Sequence, residues 1–154
     1  EHSDIIKGSK KGTEFLTTKT ALAEEKKLVE TCREAKGIAK PLNDGYSFKA
    51  DFLNQEQKTA ITHVLQSKDK ISIIEGGAGT GKTTLMQEVK SAVEEKGKKL
   101  FAFAPSSEAS RGVLENEGFH GAQTVARLLI DKDMQRELKG NVLWVDEAGM
   151  LGNK

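Results

Sequence analysis

The segment IIEGGAGTGKTTLM (73–86) constrains the fold of this chain more than any other stretch. It holds four closely spaced glycines, Gly76, Gly77, Gly79 and Gly81, directly after an apolar, β-branched run. Because glycine loses more backbone entropy on ordering than any other residue, such a cluster indicates a backbone that needs positive φ or a close approach to another group. The residues on either side of the cluster decide what that group is.

The spacing of this segment matches G-x-x-x-x-G-K-[ST], the phosphate loop. In that loop, backbone amides and the positive end of the following helix hold a polyphosphate. We expect Lys82 to reach the β- and γ-phosphates of ATP and the Thr83 hydroxyl to bind Mg²⁺. An ordinary glycine-rich turn is the alternative, but a strand pattern before the loop and a helix pattern after it favour the phosphate loop. The predicted nucleotide contacts in this segment are Gly76, Gly77, Ala78, Gly79, Thr80, Gly81, Lys82, Thr83 and Thr84.

Strand and helix patterns alternate from residue 71 onward, which is typical of a parallel sheet covered by helices. Short β-rich runs predict strands at 71–75, 99–104 and 141–149. Helical spacing predicts helices at 83–97, 106–118, 124–130 and 133–140. Ser106 or Ser107 is expected to cap the second of these helices, and Gly97 and Gly118 to end the first two. The fold class predicted from these patterns is α/β with a parallel central sheet.

The N-terminal third has a different character. Residues up to Gly12 are polar and are expected to be loose. A helix is predicted from the cap residue Thr18 to Gly37, and a linker over 38–52, where Pro41 and an Asn-Asp-Gly turn occur. We therefore divide the chain into a helical arm with its linker, residues 1–50, and an ATPase body, residues 51–154.

Composition limits the other possibilities. With a net charge of +1, any affinity for nucleic acid must come from a local basic surface. A single cysteine, Cys32, excludes an internal disulfide, and no secretory signal or membrane segment is recognised, so we expect a cytoplasmic protein. The spacing of His63 and His120 does not indicate a metal site. The first residue is not Met and the chain stops at MLGNK, so we expect an excerpt from a longer protein.

Asp146 and Glu147 follow the last predicted strand, at the edge of a parallel sheet where ligands bind in such folds. Asp146 is expected to hold Mg²⁺ through water, and Glu147 to take a proton from the water that attacks the γ-phosphate. The alternative is an acidic pair that merely caps the next turn. Their position downstream of a phosphate loop favours the functional interpretation. A paired Asp-Glu also favours hydrolysis over phosphorylation of a small molecule.

The order of four segments, LNQEQKTAI, GGAGTGKTT, FAPSSEASRGVL and VDEAGM, resembles the ATPase half of superfamily 1 helicases, specifically the RecD-like branch. Within that branch the chain is most similar to the helicase region of MobF-type conjugative relaxases. The upstream FLTTKTALAEEKKLVE and the later GAQTVARLL support that choice. The resemblance implies a three-layer RecA-like phosphate-loop NTPase fold, with an incomplete first motor domain preceded by the helical arm.

The resemblance also assigns roles to individual residues. Gln57 matches the glutamine that contacts the adenine edge, and a side-chain amide can both donate and accept there; a solvated glutamine at a helix start is the alternative. Pro105, Ser106 and Ser107 match the motif that contacts single-stranded DNA, although the serines could equally be a plain helix cap. Arg111 is a candidate contact to the DNA backbone, or else an ordinary solvated arginine.

Three functions from different classes remain open at this point. The first is an ATP-driven DNA helicase, acting in conjugative transfer or as a stand-alone RecD-like repair enzyme. The second is another phosphate-loop ATPase, which would not need LNQEQ. The third is a vestigial motor copy that binds single-stranded DNA or a protein partner without catalysis; intact Lys82, Thr83, Asp146 and Glu147 argue against it.

Further partners follow from the resemblance alone. It implies single-stranded DNA, a second motor domain and possibly a relaxase domain as partners. No tyrosine nucleophile with a three-histidine metal site, the chemistry of a relaxase, occurs in this sequence. Because the second motor domain supplies an arginine that acts on the phosphates, we expect residues 1–154 alone to bind ATP·Mg²⁺ weakly and to show no DNA-stimulated hydrolysis.

Overall fold

The computed structural model describes residues 4–77 and 79–152. It opens with a β-hairpin, in which β1 (Ile5–Lys10) pairs antiparallel with β2 (Thr13–Thr18). Lys11 and Gly12 connect the strands, both with positive φ, as a tight two-residue hairpin turn requires. The expectation that residues up to Gly12 are loose is therefore wrong for the described part. It failed because both strands are almost wholly exposed and show no alternation of buried and exposed residues.

Helix α1 (Lys19–Glu34) follows the hairpin directly. The Thr18 hydroxyl oxygen accepts a hydrogen bond from the Ala21 amide at 3.1 Å, which confirms Thr18 as the predicted N-cap. The helix ends shortly before Gly37, as predicted. None of its residues is fully buried, and apolar side chains such as Leu28 and Val29 remain about half exposed.

The linker, residues 38–52, contains no helix or strand, but it is packed against the elements that follow it. The Asn43 side chain is buried and donates to the Ala92 carbonyl at 2.9 Å. The Tyr46 hydroxyl donates to Glu88 Oε1 at 3.0 Å, and the Lys49 amide donates to the same oxygen at 2.5 Å. The boundary placed at residues 50 and 51 stays a prediction.

Two helices pack against this linker. Helix α2 (Gln55–Gln66) begins with a capping box between Asn54 and Gln57, and α3 (Lys82–Glu94) begins at the end of the glycine-rich segment. The larger hydrophobic core lies between them and is formed by Leu53, Ile61, Leu65, Leu85, Val89, Ala92 and Val93.

A three-stranded parallel sheet lies on the other side of α3, in the order β4-β3-β5. The central strand β3 (Leu100–Ala104) pairs with β4 (Gln123–Thr124) and with β5 (Val142–Val145). The predicted α/β class with a parallel sheet is confirmed. The predicted strands at 99–104 and 141–149 correspond to β3 and β5. Strand β4 was not predicted, because two residues are too few to show an alternating pattern.

The connections between strands are helical. A π-helix (Glu108–Leu114) follows β3, and α4 (Val125–Ile130) and α5 (Lys132–Glu137) precede β5. A second, smaller core joins α3, β3 and the π-helix through Met86, Ala102, Ala104, Leu114, Phe119 and Ala122. Phe103 is almost fully buried, and Trp144 packs against both cores. Within the described ranges, no helix is long and apolar enough to cross a membrane.

The predicted strand at 71–75 is not a strand in the structure. Among the described residues, its backbone has no hydrogen-bonded neighbour, and the Ile73 side chain is 85% exposed. Only Ile74 packs on the larger core. A β-rich run needs a partner strand to satisfy its amides and carbonyls, and the sheet as described ends at β5.

Candidate functional site

The glycine-rich loop, which we define as residues 76–81, leads into the first turn of α3. Gly79 and Gly81 have φ of 74° and 80°, in the left-handed region that favours glycine. The Thr80 hydroxyl donates to the Gly77 carbonyl at 2.9 Å and closes the loop on itself. Ala78, predicted to contribute a backbone contact, lies outside the described residues. The described loop residues, 76–77 and 79–81, therefore show the positive φ and close backbone contacts for which the glycines were predicted.

Among the described residues, no side chain caps the first turn of α3. Gly81 occupies the N-cap position and has no side chain with which to cap the helix. The leading N–H groups of a helix have no partner within the helix, and they carry partial positive charge. Thr84 lies half-buried in this turn. The helix start beside the loop is thus free of competing acceptors from its own cap.

Lys82, the first residue of α3, is folded back over the loop. Its Nζ donates to the Gly76 carbonyl at 3.0 Å and to the Gly77 carbonyl at 3.1 Å. The ammonium group is therefore held against the loop backbone and takes part in no described salt bridge. A cation beside a glycine-rich loop and a helix start is an arrangement that suits a polyphosphate.

Gln57 joins the loop from α2. Its Oε1 accepts from the Asn54 amide at 3.0 Å, and its Nε2 donates to the Thr80 carbonyl at 3.1 Å. Beside it lies an open cavity of about 400 Å³, lined by Asn54, Glu56, Gln57, Ala60, Ile74, Glu75, Gly76, Gly79, Thr80, Gly81, Lys82 and Leu85. The structure therefore brings Gln57, predicted from a separate segment, onto the same cavity as the loop and Lys82.

A larger depression of about 600 Å³ lies along α2, between Phe48, Lys58 and His63. None of the residues that line it belongs to the glycine-rich loop. We therefore assign the candidate site to the smaller cavity, where backbone amides and a cation converge.

Thr83 has an acidic partner that the sequence did not indicate. The Thr83 hydroxyl donates to Glu117 Oε2 at 2.9 Å, and Gln87 Nε2 donates to the Glu117 carbonyl at 2.6 Å. Glu117 lies 34 residues after Thr83, so no local spacing relates them. The only available sign was the predicted end of a helix at Gly118, the next residue.

Asp146 and Glu147 lie at the carboxyl end of β5. The Asp146 amide donates to the Phe103 carbonyl at 2.9 Å, which places Asp146 beside the end of β3. Asp146 is half-buried, whereas Glu147 is exposed and has a left-handed φ of 49°. In the described part of the chain, no hydrogen bond joins either carboxylate to the glycine-rich loop.

The proposed DNA contacts occupy the same edge of the sheet, because they follow β3. Ser106 Oγ accepts from the Ala109 amide at 3.1 Å, at the start of the π-helix. Ser107 and Arg111 are exposed and Pro105 is half-buried. Parallel pairing of β3 with β5 brings this segment and Asp146 to one edge. In the described ranges, no cluster of three or more acidic, His or Cys side chains could hold a metal ion by itself.

One protein family and several known proteins are similar to this chain in sequence. The AAA domain family matches residues 52–154. The multifunctional conjugation protein TraI of Escherichia coli (strain K12) is 28% identical over 161 positions, which cover 97% of this chain and 9% of that protein. The conjugal transfer protein TraA of Rhizobium radiobacter is 32% identical over 124 positions, which cover 79% of this chain and 11% of that protein.

A shorter similarity extends beyond conjugation proteins. The putative ATP-dependent RNA helicase ECM32 of Saccharomyces cerevisiae is 42% identical over 55 positions, or 32% of this chain and 5% of that protein. The chain thus spans only about a tenth of the length of the conjugation proteins it matches.

Proposed function

Because this chain belongs to the AAA domain family and is a superfamily 1 helicase region similar to that of MobF-type conjugative relaxases, we propose that it is the ATP-binding part of a DNA helicase. The family implies nucleotide binding. Coupling of ATP hydrolysis to movement along single-stranded DNA, and to duplex unwinding during conjugative transfer, is the activity we propose for the whole protein.

The observation that carries the proposal is the convergence of Lys82, the glycine-rich loop and the uncapped start of α3 on one cavity. Lys82 would exchange its two carbonyl contacts for the β- and γ-phosphates. Backbone amides of the loop and of the first turn of α3 would bind the same phosphates. Gln57 would contact the adenine edge, since its side-chain amide is held by the bond to the Asn54 amide and borders the cavity.

Thr83 and Asp146 are the residues we propose to hold Mg²⁺, Thr83 directly and Asp146 through water. A bound Mg²⁺ supplies neutralisation of charge on the phosphates. Glu147 would take the proton of the attacking water. Its exposure suits a group that must reach a solvent molecule, and the open edge of the sheet gives it room to do so.

Single-stranded DNA would bind at the same edge, through the segment that links β3 to the π-helix. The exposed Ser107 hydroxyl and Arg111 guanidinium, and the backbone after Pro105, are groups that meet phosphates in such interfaces. Ser106 would contribute less through its side chain, because its hydroxyl oxygen already accepts from the Ala109 amide.

A stand-alone RecD-like repair helicase is the second candidate function. The similarity to TraI favours the conjugative assignment, because it covers 97% of the chain and therefore includes the arm before residue 52. A motor region shared by all such helicases would not require similarity in the arm.

The experiment is a binding titration of residues 1–154 with a fluorescent ATP analogue and Mg²⁺. Replacement of Lys82 by Ala removes charged hydrogen bonds worth about 1.5–3 kcal/mol, so affinity should fall roughly 10- to 150-fold. The fold should persist, because the hydrogen bonds of the Lys82 ammonium to described residues all go to loop carbonyls.

Lys96→Ala is the matched control, since Lys96 is exposed beyond the other end of α3. It removes the same charge without touching the loop. Equal affinity of Lys82→Ala and the unsubstituted chain would contradict the proposed nucleotide site.

A further inference from the structure

We propose that Glu117 is a positioning residue of the magnesium site, which orients the Thr83 hydroxyl toward the metal. This inference rests on the proposed function, because it needs Mg²⁺ and nucleotide to bind at the start of α3. It assigns a task to a side chain that belongs to none of the recognised motifs of this chain.

The chemistry of a hydroxyl ligand supports the assignment. A threonine hydroxyl has one proton to donate and two lone pairs that can accept. When a lone pair faces a metal, the proton must point elsewhere, and an acceptor for that proton fixes the rotation of the hydroxyl. In this structure the acceptor is Glu117 Oε2, at 2.9 Å from Thr83 Oγ1. Such acceptors behind a metal ligand commonly tune metal affinity.

The position of Glu117 is fixed by contacts apart from Thr83. Gln87 lies one helical turn after Thr83 on α3, and its Nε2 donates to the Glu117 carbonyl at 2.6 Å. The Glu117 amide donates to the Val113 carbonyl at 3.1 Å. Both the side chain and the backbone of Glu117 are thus bound to one face of α3.

The residue that follows the turn anchors the same segment. Phe119 is 3% exposed and belongs to the smaller core, and its amide donates to the Leu114 carbonyl at 2.9 Å. Lys90 Nζ lies 5.8 Å from the centre of the Phe119 ring. Because Phe119 is buried two residues away, the Glu117 backbone cannot move away from α3 without disturbing this packing.

The carboxylate also sets the charge beside Thr83. Glu117 is half-buried, so its negative charge is less screened than that of a surface residue. The Glu117 carboxylate would attract Mg²⁺ and repel the phosphates of a nucleotide that has no bound Mg²⁺. The expected mark of its role is therefore a change in the Mg²⁺ dependence of nucleotide binding, and not a uniform loss of affinity.

The experiment titrates Mg²⁺ into residues 1–154 in the presence of a fluorescent ATP analogue, and repeats the binding in a chelator. In Glu117→Ala the Mg²⁺ concentration at half-saturation should rise about tenfold or more. Glu117→Gln keeps an acceptor oxygen for Thr83 and should show a smaller rise. In the chelator, both variants should bind the nucleotide as well as the unsubstituted chain, or better.

Glu115→Ala is the matched control, because Glu115 is exposed on the same segment and its side chain makes no described hydrogen bond. Circular dichroism checks that each variant is folded, and Glu117→Gln preserves the test if Glu117→Ala unfolds. An unchanged Mg²⁺ dependence in both variants overturns this inference alone. Tighter binding in chelator with unchanged Mg²⁺ dependence also overturns it, because Glu117 would then merely obstruct the site. Failure of the unsubstituted chain to bind the nucleotide at all overturns the proposed function as well.

Discussion

The side-chain amide of Gln57 lies against the backbone of Gly81, so close that a Cβ added to Gly81 would overlap Gln57 Nε2. The same amide donates to the Thr80 carbonyl, and its oxygen accepts from the Asn54 amide. Gln57 therefore joins the capped start of α2 to the end of the glycine-rich loop. A residue predicted to contact the base is thus held in place by the backbone that we propose to bind phosphate.

The first prediction concerns nucleotide preference. In Gln57→Ala, the ratio of affinities for ATP and GTP should fall several-fold toward one, because the group that both donates to and accepts from the adenine edge is lost. Competition binding of ATP and GTP against a fluorescent analogue measures this ratio.

Gln57→Glu separates recognition from helix capping. Glutamate at this position can still accept from the Asn54 amide, so the capping box is retained, but it cannot donate to the Thr80 carbonyl. Gln55→Ala, at the exposed first residue of α2, is the control. A preference for ATP that survives in both Gln57 variants would argue against an adenine contact.

The second prediction concerns the loop backbone. Gly81→Ala should lower the free energy of unfolding by about 1–2 kcal/mol, the usual cost of a side chain in the left-handed region. The added Cβ would also displace the Gln57 amide, so nucleotide affinity should fall too. Urea denaturation measures the stability change.

Gly112→Ala provides the comparison, because its added Cβ meets no atom within 4 Å and its φ is not positive. Alanine is the better residue in a helix by up to about 1 kcal/mol. Stability of that variant should therefore be unchanged or higher. If Gly81→Ala proves as stable as Gly112→Ala, the loop conformation described here is incorrect.

The third prediction concerns DNA. Arg111→Ala should weaken binding of single-stranded DNA, and the slope of log affinity against log salt should become shallower by about 0.7, the contribution of one phosphate contact. Fluorescence anisotropy of a labelled oligonucleotide at several salt concentrations measures both effects.

Arg136→Ala is the control for charge, because Arg136 lies on α5 and is paired with Asp133. It should leave the salt slope as it is in the unsubstituted chain. Equal effects of the two substitutions would mean that DNA responds to net charge and not to the edge that carries Arg111.

The fourth prediction concerns pH. Burial raises the pKa of the Tyr46 hydroxyl well above its ordinary value of 10.0, and the hydrogen bond to Glu88 raises it further. The folded state therefore binds this proton more tightly than the unfolded state. The corresponding stability is fully present below about pH 10 and is lost as the pH rises above that value.

Tyr46→Phe removes the titrating hydroxyl, so the unfolding free energy of this variant should depend less on pH above about pH 10. The difference in unfolding free energy between the unsubstituted chain and Tyr46→Phe should therefore shrink above that pH. Because Tyr46 is the only tyrosine in the chain, the near-ultraviolet absorbance of tyrosinate follows its ionisation directly. Titration of Tyr46 at its ordinary pKa in the folded protein would contradict the contact with Glu88.

Features that depend on nearby residues were predictable from the sequence. The Thr18 cap, the start of α3 after the glycines and the strand before Asp146 each rest on local chemistry or on a short apolar run. The run at 71–75 is also short and apolar, but a strand needs a hydrogen-bonded partner strand as well. The residues of the run do not indicate whether such a partner is present. Helical spacing predicted a helix after β3, yet it does not distinguish a π-helix from an α-helix.

In the candidate site, too, residues of one contiguous motif were predictable, whereas a residue distant in sequence was not. Lys82, Thr83 and the glycines belong to one contiguous motif, so the sequence could name them together. The roles of these residues, and of Asp146, Glu147 and the proposed DNA contacts, stay predictions. Glu117 could not be found, because its contact with Thr83 joins positions 34 residues apart and depends on the turn before Phe119.

Hydrogen bonds of the linker connect the arm to α3, the helix that begins at the glycine-rich loop. The Lys70 amide donates to the Ala35 carbonyl, and the Ala39 amide donates to the Lys68 carbonyl. These bonds connect the end of α1 to the turn after α2. Further along the linker, the Tyr46 hydroxyl and the Lys49 amide both donate to the Glu88 carboxylate. Glu88 lies six residues, or about 9 Å, along α3 from Lys82. Because a helix is stiff over that length, tension on the arm would be delivered to the first turn of α3 as a displacement, and a load on the arm would be felt where nucleotide is proposed to bind.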